Sequence, residues 1–230
     1  MGAYGQFCPL ALAAEVFARK WTPLVVRELL CGSVRFNDLR RGLPRMSPAL
    51  LVKRLEELRR AGVLERRGDV DHPEYHLTEA GRALGPVVEA LGAWGRRWGG
   101  RLREDDLDAD VLMWDVRRRI DADRAPREPT TVHFVFEDLP PGRADYWVVV
   151  GRDQVDLRVQ DPGRRDDLVV RTDVRTMTEV WIGDAPFSEA VRRGGVRLRG
   201  PEGLRSSFPA WLELGLFADV PRRGGGVAPV

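Results

Sequence analysis

The sequence predicts an α+β chain of two domains, and three observations lead to that prediction. Hydrophobic residues in the first part of the chain recur with the 3.6-residue period of helices, apart from two short extended segments. Later segments alternate every second residue, as strands do, and short loops such as DLPPGRAD between them favour antiparallel pairing. The formal charge is +7 over residues 1–103 and −5 over residues 104–230, which indicates two domains with different partners.

The domain boundary is expected near Trp98-Gly99-Gly100, where a long helical pattern stops at two glycines. We therefore predict a helical domain over residues 1–100 and a sheet-and-helix domain over residues 101–220. The glycine-rich end of the chain, residues 221–230, is expected to be disordered.

The composition is that of an ordinary soluble protein, with 43% hydrophobic and 31% charged residues. No apolar run approaches the ~20 residues that span a bilayer. The N-terminal residues MGAYGQFCPL lack the basic flank of a signal peptide, and two cysteines do not make a disulfide framework. These features predict a cytoplasmic protein without membrane contact.

The first domain is expected to contain five helices and a two-stranded ribbon. Thr22-Pro23 and Ser47-Pro48 each have the form of an N-cap followed by a first-turn proline. The predicted order is helices at Cys8–Phe17, from Thr22, at Phe36–Gly42 and from Ser47, strands VLERR and YHLT, and a helix from Thr78 to about Trp98 that kinks at Gly85-Pro86.

The helix that begins at Ser47 has two contrasting faces. Leu51, Leu55 and Leu58 form an apolar stripe that must face a core. On the outer face, the N-terminal half is small or basic, which suits a helix whose first turns enter the major groove of DNA. Helix, short turn, helix and basic ribbon is the order of a winged helix-turn-helix, although a merely solvated amphipathic helix is the alternative. The residues expected to contact DNA are Arg35, Arg40, Arg41, Arg45, Ser47, Pro48, Ala49, Val52, Lys53, Arg54, Arg66, Arg67 and His72.

The second domain is expected to combine a helical segment at about 105–123, an antiparallel sheet and three later helices. Val132, Phe134 and Phe136 share one strand face, and Val155, Leu157 and Val159 share another. Further strands are predicted at Tyr146 to Val150, Leu168 to Thr172 and VRLRG, and helices at about 173–182, 187–193 and 202–214.

Signatures of enzymes are missing from the sequence. There is no glycine-rich phosphate loop, and His72, His76 and His133 lack metal-ligand spacing. We therefore predict no catalytic residues, no metal and no cofactor.

Several stretches resemble the HxlR-type winged-helix transcriptional regulators, in the order that this family has. They are Cys8-Pro9, KWTPLVVRELLCGSVRFNDLRRGLP, MSPALLVKRLEELRRAGVLERR and YHLTEAGRAL, which together extend over about residues 7–98. The resemblance implies a homodimer that binds double-stranded DNA and pairs through its terminal helices. It also implies a candidate thiol switch at Cys8. The expected dimer residues are Leu12, Val16, Leu84, Val88, Leu91 and Trp98.

The run RTDVRTMTEVWIGDAPFSEAVRRGGVRLRGPEGLRSSFPAWL resembles the C-terminal part of a sterol carrier protein 2-type domain. This resemblance implies an apolar tunnel between the sheet and the helices, although Pro209 interrupts the last helix. The expected ligand-binding residues are Phe134, Phe136, Trp147, Met177, Trp181, Phe187, Phe208 and Trp211.

The favoured interpretation is a DNA-binding regulator whose second domain senses an apolar small molecule. One alternative is a carrier of hydrophobic ligands that uses the winged helix only for dimerisation. Another is a thiol-redox regulator with a structural second domain.

Overall fold

The structure is a computed structural model that describes residues 4–69 and 71–223. It divides the chain into two compact units, Met1–Gly95 (unit 1) and Arg96–Val230 (unit 2). Residues 224–230 of the predicted disordered tail lie outside the described residues. Arg222 does not fit the expected disorder, because its Nε donates to Asp184 at 2.8 Å and its Nη1 donates to the carbonyl of Gly100 at 2.8 Å.

Unit 1 has the predicted order of helices and ribbon strands. Its elements are α1 Pro9–Phe17, α2 Thr22–Leu30, α3 Phe36–Gly42, α4 Pro48–Arg60, β1 Leu64–Arg67, β2 Glu74–Leu77, α5 Glu79–Arg82 and α6 Gly85–Trp98, whose last residues belong to unit 2. Leu51, Leu55 and Leu58 of α4 are buried, as predicted. The core that receives them includes Val25, Val26 and Leu39, which are fully buried.

Two predicted details of the helices in unit 1 are wrong. The residue before α2 is Trp21, which has a left-handed backbone with φ of 78°, so Thr22 is the first helical residue rather than the cap. The predicted single helix from Thr78 to Trp98 is two helices, α5 and α6, and not one kinked helix. Proline has no backbone N–H, so Pro86 cannot donate the helical hydrogen bond to Arg82 that an unbroken helix requires.

Gly81 gives a test of the close approach between α5 and Val63, the residue before β1. A Cβ added at this buried glycine would lie 2.1 Å from the carbonyl oxygen of Val63, which is backbone and cannot rotate away. We expect Gly81→Ala to lower the free energy of unfolding by about 1–3 kcal/mol in urea denaturation, as overpacking does. The control is Gly95→Ala on α6, where a Cβ meets nothing within 4 Å. An unchanged stability in Gly81→Ala would show that α5 and the backbone of Val63 lie further apart.

Unit 2 is a five-stranded sheet with helices on one face. Its elements are a 3₁₀ turn Glu104–Asp106, α7 Ala109–Arg118, β3 Thr130–Phe136, β4 Asp145–Val150, β5 Val155–Arg158, β6 Leu168–Thr172, α8 Val174–Trp181, α9 Phe187–Arg192, β7 Arg197–Arg199, α10 Glu202–Ser207 and a 3₁₀ turn Phe208–Trp211. The predicted helices at 105–123 and 202–214 are therefore shorter than expected. Val159 lies beyond β5 and is 61% exposed, so it does not share a buried face with Val155.

The sheet has the strand order β5-β4-β3-β6-β7, and it is mixed rather than wholly antiparallel. The pair β3 and β6 is parallel, with Phe134 opposite Val170. The loop DPGRRDD therefore carries the chain from one edge of the sheet to the far side of β3 instead of closing a hairpin. Turn-forming residues predict that the chain turns, but they do not determine which strand becomes the neighbour.

The core of unit 2 lies between the helices and one face of the sheet. Val132, Phe134 and Phe136 are fully buried there, as the alternation predicts, and Met113 and Met177 pack against this face from α7 and α8. Among the described residues, no helix is long and apolar enough to cross a membrane.

Candidate nucleic-acid interface

The helix-turn-helix of unit 1 consists of α3, a short turn and α4. Ser47 caps α4, because its Oγ accepts a hydrogen bond from the backbone N–H of Leu50 at 3.3 Å, and Pro48 follows in the first turn. Leu43 and Met46 in the turn are buried and attach it to the core. The three buried leucines of α4 fix its rotation about its axis, so its first turns present their other side to solvent.

The exposed side of α4 has small residues and one basic residue in its N-terminal half. Pro48, Ala49 and Lys53 are exposed, and Val52 is 54% exposed. Small side chains allow a helix to approach base edges closely, while the N-terminal end of the helix dipole and a lysine favour phosphates. Arg45, in the turn just before α4, is also exposed and adds a second positive charge.

Arg54 was predicted to contact DNA, but the structure places its guanidinium in an internal network. Its side chain is 15% exposed, its Nε donates to the carbonyl oxygen of Lys20 at 3.2 Å, and it pairs with Glu57. Glu57 also pairs with Arg19 of the α1–α2 loop at 3.2 Å. Burial, the largest single cause, would raise the pKa of Glu57, but the hydrogen bond from Arg54 and the positive charges of Arg54, Arg19 and Lys53 together lower it. Arg54 therefore fixes α4 to the segment between α1 and α2.

The remaining charges in the C-terminal half of α4 form one cluster, in which Glu56 is shared by Arg59 and Arg60. Glu56 accepts hydrogen bonds from Arg59 at 2.8 Å and from Arg60 at 2.9 Å. These two hydrogen bonds, with that of Arg59 first, lower the pKa of Glu56 to about 2. Glu56 is thus ionised at neutral pH and leaves a net charge of +1 on its cluster with Arg59 and Arg60. Arg45 and Lys53 supply the positive charge at the N-terminal half of the exposed face.

The ribbon has the predicted strands, paired antiparallel with Arg66 opposite Tyr75. The basic residues around it are partly engaged: Arg67 donates to Glu65 at 2.8 Å, and Arg35 lies 3.5 Å from Glu74. Glu74 also bonds His76, and this hydrogen bond is the main reason that the pKa of Glu74 is lowered. The exposed His72 near the tip stands next to the exposed Asp71, so the ribbon is less basic than α4.

On α3, Arg40 and Arg41 are exposed, and Arg41 lies 3.6 Å from Asp38.

Cys8 is exposed at the N-cap of α1, and Cys31 is exposed after α2. Among the residues that the structure describes, no cluster of histidine, cysteine or acidic residues could hold a metal ion.

The predicted dimer residues do not all face outward. Leu84 and Val88 pack into the core of unit 1, whereas Leu91 is 49% exposed and Leu12 is 56% exposed. Val16 also packs against this core, and the ring of Trp98 is covered by the guanidinium of Arg223, 5.4 Å from its centroid.

Sequence reasoning missed the exposed apolar residues that lie beside the predicted ones. Val87 and Trp94 are 44% and 54% exposed, and with Leu91 they form an i, i+4, i+7 stripe along α6. Leu10 is 75% exposed on α1. The signal was available in the sequence, because the spacing of Val87, Leu91 and Trp94 is as regular as that of the predicted residues Leu84, Val88 and Leu91.

Seven of the eight predicted ligand residues lie in or against the core of unit 2. Phe134, Phe136, Met177, Trp181, Phe208 and Trp211 are buried in it, and Phe187 packs against it. Trp147 does not face this core. Its ring stacks on His133, with centroids 4.5 Å apart, and its Nε1 donates to Asp166 at 3.1 Å on the other face of the sheet. The placement of Trp147 in the predicted tunnel wall is therefore wrong.

Comparison with known proteins places the helix-turn-helix in a family. Residues 16–103 match the model of the HxlR-like helix-turn-helix. The chain is 35% identical over 97 residues to YvaP, an uncharacterized HTH-type transcriptional regulator of Bacillus subtilis (strain 168), with 40% of this chain and 90% of that protein covered. It is 34% identical over 105 residues to YdeP, another such regulator of the same strain, with 44% and 80% covered.

A similar solved structure is the redox regulator HypR in its reduced form. It is 33% identical, covers 38% of this chain and 90% of its own, and has a TM-score of 0.36. The sequence relatives YvaP and YdeP are transcriptional regulators by name. Through residues 16–103 the chain belongs to the HxlR-like helix-turn-helix family of transcriptional regulators.

Proposed function

We propose that this protein is a homodimeric transcriptional regulator that binds a specific duplex DNA sequence through the N-terminal half of α4. The observation that carries the proposal is the division of charge on α4. Its acidic residues and Arg54 are engaged within the protein, whereas Lys53 and the preceding Arg45 are exposed beside Ala49 and Val52. A neutral or positive helix face with small side chains suits the major groove.

Selection from a pool of random duplex DNA tests this function. The full chain should enrich an inverted repeat, because a two-fold dimer presents two copies of α4. The affinity for the enriched DNA should fall steeply as salt rises, since each phosphate contact releases about one counterion. If no sequence is enriched over the starting pool at 100 mM salt, the protein is not a sequence-specific DNA-binding regulator.

Unit 2 is proposed to sense an apolar small molecule within its aromatic core. Phe208 is central to that core, 6.1 Å from Phe134, 6.0 Å from Phe187 and 5.5 Å from Trp211 between ring centroids. The indole N–H of Trp181 is satisfied by Asp115 at 2.7 Å, whereas the buried Nε1 of Trp211 has no hydrogen-bond partner among the residues that the structure describes. A buried donor without a partner costs about 1–3 kcal/mol. A ligand with one polar oxygen on an apolar body would satisfy it.

Tryptophan fluorescence tests this proposal with medium-chain and long-chain fatty acids as probes. We expect saturable quenching, and we expect Trp211→Phe to bind the same probe about three- to tenfold more weakly, because it keeps the ring shape and loses the N–H. A bound probe should change DNA affinity by about 5- to 150-fold, the usual range of allosteric coupling. If none of the probes gives a saturable titration, unit 2 does not sense an apolar ligand. Ligand binding together with a failed DNA selection would favour a carrier.

A thiol switch at Cys8 is the second proposed mode of regulation. The thiol is exposed at the start of α1, next to the exposed Leu10 and Leu12. Oxidation there would alter the surface that we propose for dimerisation. If diamide abolishes DNA binding in Cys8→Ser as it does in the wild type, this mode of regulation is contradicted.

A further inference from the structure

The outer face of the sheet in unit 2, opposite the helices, carries a group of arginines. In the pairing of β3, β6 and β7, His133 lies opposite Val169, Val169 lies opposite Arg199, and Arg171 lies opposite Arg197. Because side chains alternate along a strand, all of these point away from the core that holds Val170 and its neighbours. The face is therefore basic at β6 and β7, although residues 104–230 as a whole have a charge of −5.

A concave pocket with a volume of about 300 Å³ lies on this face. Its lining comes from the loop before β6, from β6 itself and from the end of β7. The lining residues are Arg165, Asp166, Asp167, Val169, Arg171, Arg199, Gly200 and Pro201. The loop and β7 approach closely, since a Cβ added at Gly200 would lie 2.7 Å from the carbonyl oxygen of Asp167. This approach brings Arg165 and Arg199, which are distant in sequence, to the same pocket.

The two aspartates of the lining are already engaged by the sheet. Asp166 accepts from Trp147 at 3.1 Å and bonds Nδ1 of His133 at 2.8 Å. Asp167 accepts from the backbone N–H of Thr131 at 2.8 Å. These hydrogen bonds direct both carboxylates toward the sheet but do not remove their charge, so the pocket lining has three positive and two negative side chains.

The three arginines of the lining make few ion pairs among the described residues. Arg171 lies 3.6 Å from Glu137, and both side chains are close to half exposed, so this pair is weak. Within the described part of the chain, neither Arg165 nor Arg199 has an acidic partner. The lining keeps a net charge of +1, and the guanidinium groups that converge there repel one another, which a bound anion would relieve.

We propose that this pocket binds a small molecule through a phosphoryl group with at least two negative charges. Guanidinium groups match phosphate oxygens through paired N–H donors, and three of them can surround one such group. A pocket of this volume suits a compact ligand. The phosphates of a duplex, in contrast, form an extended row that would need arginines along a ridge. The site is separate from the aromatic core of unit 2 and does not depend on the proposed DNA binding.

Isothermal titration calorimetry of the full chain with inorganic pyrophosphate tests the site. We compare the wild type, the double variant Arg165→Gln/Arg199→Gln, and the control Arg152→Gln in the β4–β5 turn, which removes an exposed charge that does not line the pocket. All three substitutions are at exposed positions, so we expect them to leave the fold intact, and the melting temperature checks this. The pyrophosphate dissociation constant should rise at least tenfold in the double variant and stay unchanged in the control.

Three results would overturn the proposal. Pyrophosphate affinity that is equal in the wild type and the double variant would indicate only general charge attraction, and so would an affinity that Arg152→Gln lowers as much as the double variant does. If the wild type binds no pyrophosphate and the double variant instead loses salt-dependent affinity for random duplex DNA, the arginines contact the DNA backbone and the small-ligand site does not exist.

Discussion

Lys53→Ala is expected to weaken DNA binding and Arg54→Ala to lower stability, although the two residues are neighbours on α4. Lys53 is exposed, and we propose that it contacts a phosphate. Its removal should weaken binding to the selected operator. The negative slope of log affinity against log salt should become shallower by about 0.9 for each protomer. Arg54 is 15% exposed and bonds the carbonyl of Lys20 and Glu57. Its removal should lower the free energy of unfolding by about 1–2 kcal/mol and leave the salt slope unchanged.

The two variants are compared by fluorescence anisotropy at several salt concentrations and by urea denaturation. Each serves as the control for the other, because both remove one positive charge from the same turn of the same helix. The double variant Arg45→Ala/Lys53→Ala should lower the slope by about twice as much as Lys53→Ala. A salt slope that falls in Arg54→Ala, with unchanged stability, would mean that Arg54 contacts DNA and that its internal network is not maintained.

Leu91→Asp/Trp94→Asp is expected to convert the protein from a dimer to a monomer. Val87, Leu91 and Trp94 form an exposed apolar stripe on α6, and burying such side chains against a second copy contributes roughly 25 cal/mol per Å². Two aspartates in each copy would place four negative charges in that interface without partners, which costs several kcal/mol. Light scattering should give a mass near the 25.9 kDa of one chain instead of twice that value.

The matched control for the dimer is Glu89→Lys. Glu89 is exposed on α6, at an angle opposite to the stripe, so reversing its charge should leave the dimer intact. Operator affinity should fall in the double aspartate variant and not in the control, because two half-sites are bound together only by a dimer. A double variant that stays dimeric at micromolar concentration would show that the stripe is not the interface.

The sequence predicts the helices of unit 1 well because their ends are marked locally. Ser47 and Pro48 define the start of α4, and the spacing of Leu51, Leu55 and Leu58 defines its buried side. A helical projection gives the direction of a side chain but not its reach. Arg54 is 34 residues from Lys20 in sequence, and only the tertiary structure brings its guanidinium to that carbonyl.

The rest depends on contacts that local patterns do not contain. The apolar run in β4 has no alternation, so it does not show that Trp147 faces away from Tyr146 and Val148. The parallel pairing of β3 with β6 depends on the path of a loop whose composition indicates only a turn. On α6, two apolar stripes overlap, and the core of unit 1 determines that Val88 faces inward and Trp94 outward.

Hydroxyl-radical footprinting of the full chain on the selected operator tests the central claim most directly. If two copies of α4 enter the major groove as a dimer, two protected segments should have centres one helical turn apart, about 34 Å, or a whole multiple of that distance. Lys53→Ala should reduce both protections equally. A single continuous protected region without two-fold symmetry, or a footprint that Lys53→Ala leaves unchanged, would contradict DNA recognition by paired copies of α4.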